Sequence, residues 1–274
     1  MDNIFRLSTF KKNEKMKLIK ILIFFIVVSS FAQQDIDKIS KIKYVKIHNF
    51  GDSNNIDTLN LFFNNEKSIF KSLILNHEGN TIIKEDGLNV NVTLKPKTDI
   101  EYVVYTDLKK SEIISREFIY DGGKLIPYLV RENIKPINWE LLNNQKTIGG
   151  LKCKNAIGKF RGRTYTVWYT LEIPVRLGPW KLNGLPGLIV EAKDDSNEIL
   201  FYMLSYNNFS KISSISKPIE TSTIELKDYI VLRDKQSDNI VKNIISKLPR
   251  GATFDIKSIE SKPIEIEFEF EKKN

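Results

Sequence analysis

The stretch Leu177–Val190 reads LGPWKLNGLPGLIV and decides how the chain folds. Pro lacks a backbone donor and Gly forfeits entropy in a helix, so Gly178, Pro179, Asn183, Gly184, Pro186 and Gly187 together exclude a helical reading. In a β context each has a place. Gly178-Pro179 ends one strand, and Asn183-Gly184 offers positions that tolerate φ > 0. Leu185–Leu188 fits a type II turn, with Pro186 at i+1 and Gly187 at i+2. Leu188-Ile189-Val190 then opens a strand. This corner defines shape, and it reads as lacking any side chain for acid, base or nucleophilic work. The sequence therefore speaks to architecture and compartment and names no reaction.

Working outward, the flanks also read as strands. Thr147–Ala156 is a turn followed by a strand, and Arg161-Gly162-Arg163 is a second turn. Thr164–Leu171 is a strand with Tyr165, Val167, Tyr169 and Leu171 on one face. Beyond the corner come Leu188–Lys193, the turn Asp194-Asp195-Ser196-Asn197, and Ile199–Tyr206. The last is apolar on both faces and is expected to be central and covered on both sides. Earlier in the chain, Ile42–Ile47, Leu59–Phe63, Ser68–Ile74, Leu88–Leu94, Ile100–Thr106, Arg116–Tyr120 and Leu125–Val130 alternate between turn signals such as Gly51–Asn55. Glu225–Leu248 is the helix candidate, with Ile240, Val241, Ile244, Ile245 and Leu248 on one stripe and Pro249 as its stop. Ile264–Glu271 alternates apolar and acidic residues strictly and reads as a strand with one wet face. The whole is expected to be mainly β (α+β), a curved antiparallel sheet or half-barrel with at least one C-terminal helix.

The 274 residues carry a formal net charge of +8, but the first 32 hold six Lys/Arg and two acids. Without them 36 basic and 32 acidic residues remain, a balance of +4 that argues against a nucleic-acid partner. The segment from Met16 has a basic start, an apolar run Ile21–Val28 and the small residues of Ser30-Phe31-Ala32. That is the pattern of a secretory signal cut before Gln33, with Met16 as the expected start. No Cys stands at the cut, so the protein is expected to be periplasmic or secreted without a lipid anchor. Residues 33–274 are expected to form a single β-rich domain with no transmembrane segment.

Residues 139–195 carry an ordered set of motifs. They are Trp139, Gly149–Ala156 with its Cys, Phe160–Arg163, Trp168-Tyr169-Thr170, Glu172-Ile173-Pro174, Gly178-Pro179-Trp180 and Gly184–Ile189. Together they resemble the GLPGLI family of exported Bacteroidetes proteins, named for that hexapeptide. Gly149-Gly150-Leu151 departs from the aromatic that often follows the glycine there. The resemblance implies export and brings no catalytic residue, because the family has none assigned. A half-barrel similar to periplasmic lipoprotein carriers is implied only by analogy of fold.

The chemistry of single residues is thin. Cys153, the single cysteine, would be a nucleophile only with a base such as His48 or His77 nearby. On a strand between Lys152 and Lys154 it reads instead as a small buried hydrophobe. Arg161 and Arg163 around Gly162 could present two guanidinium groups to an anion, or sit solvated at a hairpin tip, or pair with Glu172 or Glu191. Glu191 with Asp194 and Asp195 could offer oxygens to Ca²⁺, but the spacing is not that of a calcium loop. Trp139, Trp168 and Trp180, with Leu185, Pro186 and Gly187, either line an apolar cavity or fill the core. No cofactor motif is present. The leading expectation is a non-enzymatic envelope protein that binds an apolar ligand or an exported partner. The alternatives are an envelope hydrolase using Cys153 or a carboxylate cluster, and a purely architectural corner with function in the N-terminal third.

Overall fold

The protein is described here by a computed structural model that covers residues 38–50, 53–72, 80–86, 89–95, 101–121, 124–208, 214–219, 222–247 and 264–271. The expected signal segment, His77 and Pro249 lie outside the described residues, as do the helix side chains from Ser237 onward, the expected stripe at Ile240–Ile245 among them. Ile39–Asn274 forms one compact unit.

The first strands are β1 (Ser40–Phe50), β2 (Ser53–Phe63) and β3 (Lys67–Ser72), followed by β4 (Asn80–Asp86) and β5 (Asn89–Lys95). Then come β6 (Val103–Asp107), β7 (Glu112–Asp121), β8 (Lys124–Asn133) and β9 (Trp139–Ile148). The second half adds β10 (Leu151–Phe160), β11 (Arg163–Thr170), β12 (Leu188–Asp194), β13 (Ile199–Asn207) and β14 (Thr223–Glu225), then α1 (Leu226–Lys247). Strands β4 and β5 make a separate antiparallel hairpin. The other twelve form one sheet, in the order β14-β8-β7-β6-β3-β2-β1-β13-β12-β11-β10-β9. Every pairing is antiparallel except the short parallel contact of β14 with β8. The expected curved antiparallel sheet with a C-terminal helix is what forms.

Bulges at Lys43/Tyr44, Lys154/Ala156 and Trp168/Tyr169 interrupt the ladders and bend the sheet. Its inner side is apolar. Tyr44, Leu61, Phe70, Val104, Tyr165, Val167, Ile199 and Phe201 are all buried in one cluster. Helix α1 covers the far end, where Leu226, Tyr229 and Ile230 pack with Ile119 and Val130. Strand β13 is central, but one face only is covered: Ile199, Phe201 and Met203 are buried, while Leu204 is half exposed.

Corner residues 171–187 fold onto the inner side instead of bulging outward. Ile173, Val175, Leu177, Trp180, Leu182 and Leu185 all enter the main core. Their backbone satisfies itself: Leu188 N donates to Ile173 O, Ile189 N to Leu177 O and Gly184 N to Arg176 O. Gly184 takes φ +99°, as the Asn-Gly reading required, and Trp180 also has φ +57°. The type II turn at Leu185–Leu188 does not form, since Gly187 is not left-handed. Gly187 is needed for close approach instead, because a Cβ there would collide with the Thr170 carbonyl. Trp139 crosses β10 over Gly158, where a Cβ would collide with the ring, and its Nε1 donates to Asn183 O at 2.9 Å.

The expected strand at Ile264–Glu271 is also absent. That segment runs irregularly, with Phe268 buried but Ile266 and Phe270 substantially exposed. Its acidic residues are drawn to buried cations, which competes with strand geometry.

Gly187→Ala should therefore lower the urea midpoint by the equivalent of roughly 1–3 kcal/mol, as overpacking does. Gly150→Ala, at φ +83° with open space around it, should cost about 1 kcal/mol through backbone strain alone.

Candidate functional site

Charged side chains do not normally enter a sheet interior unless they are paired. Two cations that do so here, Arg161 and Lys181, come from the β10–β12 end of the open sheet. Arg161 sits in the two-residue turn between β10 and β11, with φ +52° at Arg161 and +81° at Gly162. Lys181 sits in the corner next to Trp180. Both side chains are fully buried. Between them lies Glu132 of β8, from the other end of the sheet. One carboxylate oxygen pairs with Arg161 Nη2, and the other lies 2.5 Å from Lys181 Nζ.

Segment 264–271 completes the cluster. Glu265 reaches Lys181 Nζ at 2.9 Å and Arg161 Nε at 3.2 Å, and Glu269 accepts from Arg161 Nη1 at 2.9 Å. Phe268 fills the space between two guanidinium groups, with Arg161 4.9 Å and Arg233 of α1 5.5 Å from its ring centroid. The backbone joins in, since Ile266 N donates to Arg161 O and Arg163 Nε donates to Ile264 O.

Three carboxylates meet two cations here, and Glu117 of β7 adds a fourth acid. Burial pushes its pKa up to about 7, further raised by Glu265 and Glu132 and opposed by Lys181. Lys181 is held well above its ordinary value: burial alone would lower it, but Glu132, Glu265 and Glu117 together outweigh that. Burial lowers Lys46, against the pull of Asp57 and Glu117. Tyr102 and Tyr229 are pushed up, first by burial and then by the Glu117 charge.

The residues singled out from sequence are distributed differently. Arg163 is buried and pairs with Asp194 at 2.6 Å and Glu198 at 2.7 Å, so neither arginine is solvated or paired with Glu172 or Glu191. Glu191 instead holds Lys146 at 2.8 Å, and Lys146 also lies 4.3 Å over the Trp168 ring. Asp194 thus has a guanidinium as its counter-cation. Among the described residues no group of three His, Cys, Asp or Glu is placed to hold a metal ion. Cys153 is buried, its Sγ donates to Leu151 O, and burial pushes the thiol pKa up. His48 is kept neutral, since burial, with Lys46 and Arg163 nearby, lowers its pKa to about 3. Trp180 stacks edge-on against Phe160 in the core.

Lys181, which the reading of the corner passed over, is held as a charged partner of the acids and not as an acid or base. Its signal was a lone cation among Trp180, Leu182 and Leu185. Glu117, Glu132 and Lys46 carried no such flag, because a charged residue on an alternating strand reads as solvent-facing.

Residues 159–191 match a protein family described as "Protein of unknown function (Porph_ging)". The match holds both arginines, the corner and Lys181. No curated protein matches the sequence. Two similar solved structures are titled "Structure of PNGF-II in P21 space group" and "Structure of PNGF-II in C2 space group". They are 14% and 15% identical, with TM-scores of 0.49 and 0.46, and the alignment covers 73% of this chain in each case. The chain spans about a third of their length (34% and 33%).

A carboxyl whose folded pKa is raised contributes stability below its unfolded pKa and loses it as pH rises through the folded value. Glu117→Gln should thus match the parent near pH 4 and exceed it above pH 8 by about 3 kcal/mol, with the gap opening between pH 4.5 and 7. Denaturant titration at stepped pH reads this difference. Lys181→Met should destabilise by about 3–5 kcal/mol, because it leaves Glu132 and Glu265 short of a cation.

Proposed function

We propose that the protein is an exported, non-enzymatic envelope protein that binds an exported protein partner. The observation that carries this reading is the filled inner side of the sheet. Val175, Leu177, Trp180, Leu182 and Leu185 occupy the trough where an apolar ligand would have to lie. That favours a macromolecular partner over a lipid-like one. The signal pattern before Gln33 supports export. Outward-facing apolar residues such as Leu141 and Leu204, about half exposed, supply contact surface. The buried Cys153 with its raised pKa speaks for a packing role.

A hydrolase using a carboxylate cluster draws on one observation, the near-neutral pKa of Glu117 beside Lys46. Burial, with Glu265 and Glu132 nearby, accounts for that value without catalysis. An activity abolished in Glu117→Gln, with the fold intact, would favour the hydrolase.

Native mass spectrometry of the protein, purified gently from its own envelope fraction, should give the bare mass of a chain beginning at Gln33. A photo-reactive residue at Leu141 or Leu204 should trap an exported protein in cells. A co-purified lipid would overturn the protein-partner reading, and recovery from the cytoplasm uncleaved would overturn export. Cys153 should resist alkylation until the chain is unfolded.

A further inference from the structure

We infer that the groove formed by Arg161, Lys181 and Arg233 is a recognition site for an extended acidic–apolar peptide, and that Ile264–Glu271 is the chain's own occupant. This rests on the proposal of an exported protein partner and names the contact that partner makes.

Charge comes first. Without segment 264–271, buried Arg161 and Lys181 are left with one carboxylate in direct contact, Glu132, shared between them. A buried cation short of a counter-charge is strongly unfavourable, so the groove requires an acidic occupant. Glu265 and Glu269 meet that requirement, four residues apart.

Shape comes second. Phe268 is 5% exposed, packed against Ile119, Val130, Leu226, Tyr229 and Ile230, with a guanidinium on either side. An aromatic anchor between two arginines, flanked by carboxylates, is a recognition pattern in its own right. Gly162 permits the approach, since a Cβ there would stand 3.0–3.1 Å from Ile266 and Glu267.

The third observation is misfit. The segment alternates apolar and acidic residues as a strand does, yet it is not paired as one among the described residues, and Ile266 and Phe270 remain 45% and 42% exposed. The resident occupant therefore uses only part of its apolar surface. Its contacts are with side chains and with the turn at Arg161, all of which a peptide from another protein can reproduce. The partner is accordingly an exported polypeptide with an extended segment carrying an aromatic residue and carboxylates four apart, and it displaces the resident segment.

The test uses the full chain and a fluorescein-labelled peptide of residues 261–271, followed by anisotropy. Phe268→Ala with Glu269→Gln weakens the resident segment, so this variant should bind the peptide at least tenfold more tightly than the parent. Gln at the peptide's two positions equivalent to Glu265 and Glu269 should reduce that binding tenfold or more. Adding Arg233→Ala, which leaves the buried pairs intact, should also weaken it. The inference is overturned if the folded double variant shows no saturable binding, or if the Gln peptide binds equally well. It is also overturned if the parent is a dimer that Phe268→Ala dissolves, because the segment would then be exchanged between copies. Failure here leaves in-cell trapping through Leu141 or Leu204 unaffected, so loss of this site and loss of the binding reading are separable.

Discussion

Glu132 is the residue on which the two ends of the sheet converge. A twelve-stranded sheet that does not close by hydrogen bonding leaves its two margins to be held by something else. Here the β8 carboxylate reaches across to Arg161 and Lys181, which arrive from the β10–β11 turn and the corner. Desolvation offsets most of the attraction in a buried ion pair, so its net contribution to stability is small compared with the core. Its effect is positional. With one carboxylate shared by both cations, the turn, the corner and β8 have to stay together, because separating them would leave charges buried without partners.

The corner acts with this bridge. Its apolar side chains fill the trough, its backbone bonds to itself, and Lys181 is delivered between Trp180 and Leu182 to the charged cluster. The glycine at 187 allows the loop to lie against the Thr170 backbone. The same stretch thus packs the interior and fixes the cation that joins the sheet margins.

The cluster also links interior electrostatics to segment 264–271. Two buried cations attract more carboxylates than they need. The excess is limited by leaving Glu269 at the partly exposed rim. A surface that must be neutralised from outside the sheet is suited to recognising an acidic chain, and in the described structure the protein supplies one itself.

Much of the fold was legible in local chemistry. The alternation of Tyr165, Val167 and Tyr169, the turns at Gly149-Gly150 and Asp194–Asn197, and the helix beginning near Glu225 all follow from periodicity and turn preference, which act between near neighbours. The candidate site was not legible. Arg161 and Arg163 stood out as a pair, but their partners lie 29 and 31 residues away and farther, and nothing local says that a glutamate on an alternating strand faces inward. Ile264–Glu271 shows the limit most clearly. By itself the alternation determines a strand-forming pattern; only the tertiary structure decided that two buried cations would take its glutamates, because long-range charge neutralisation outweighs a local preference of a few tenths of a kcal/mol per residue.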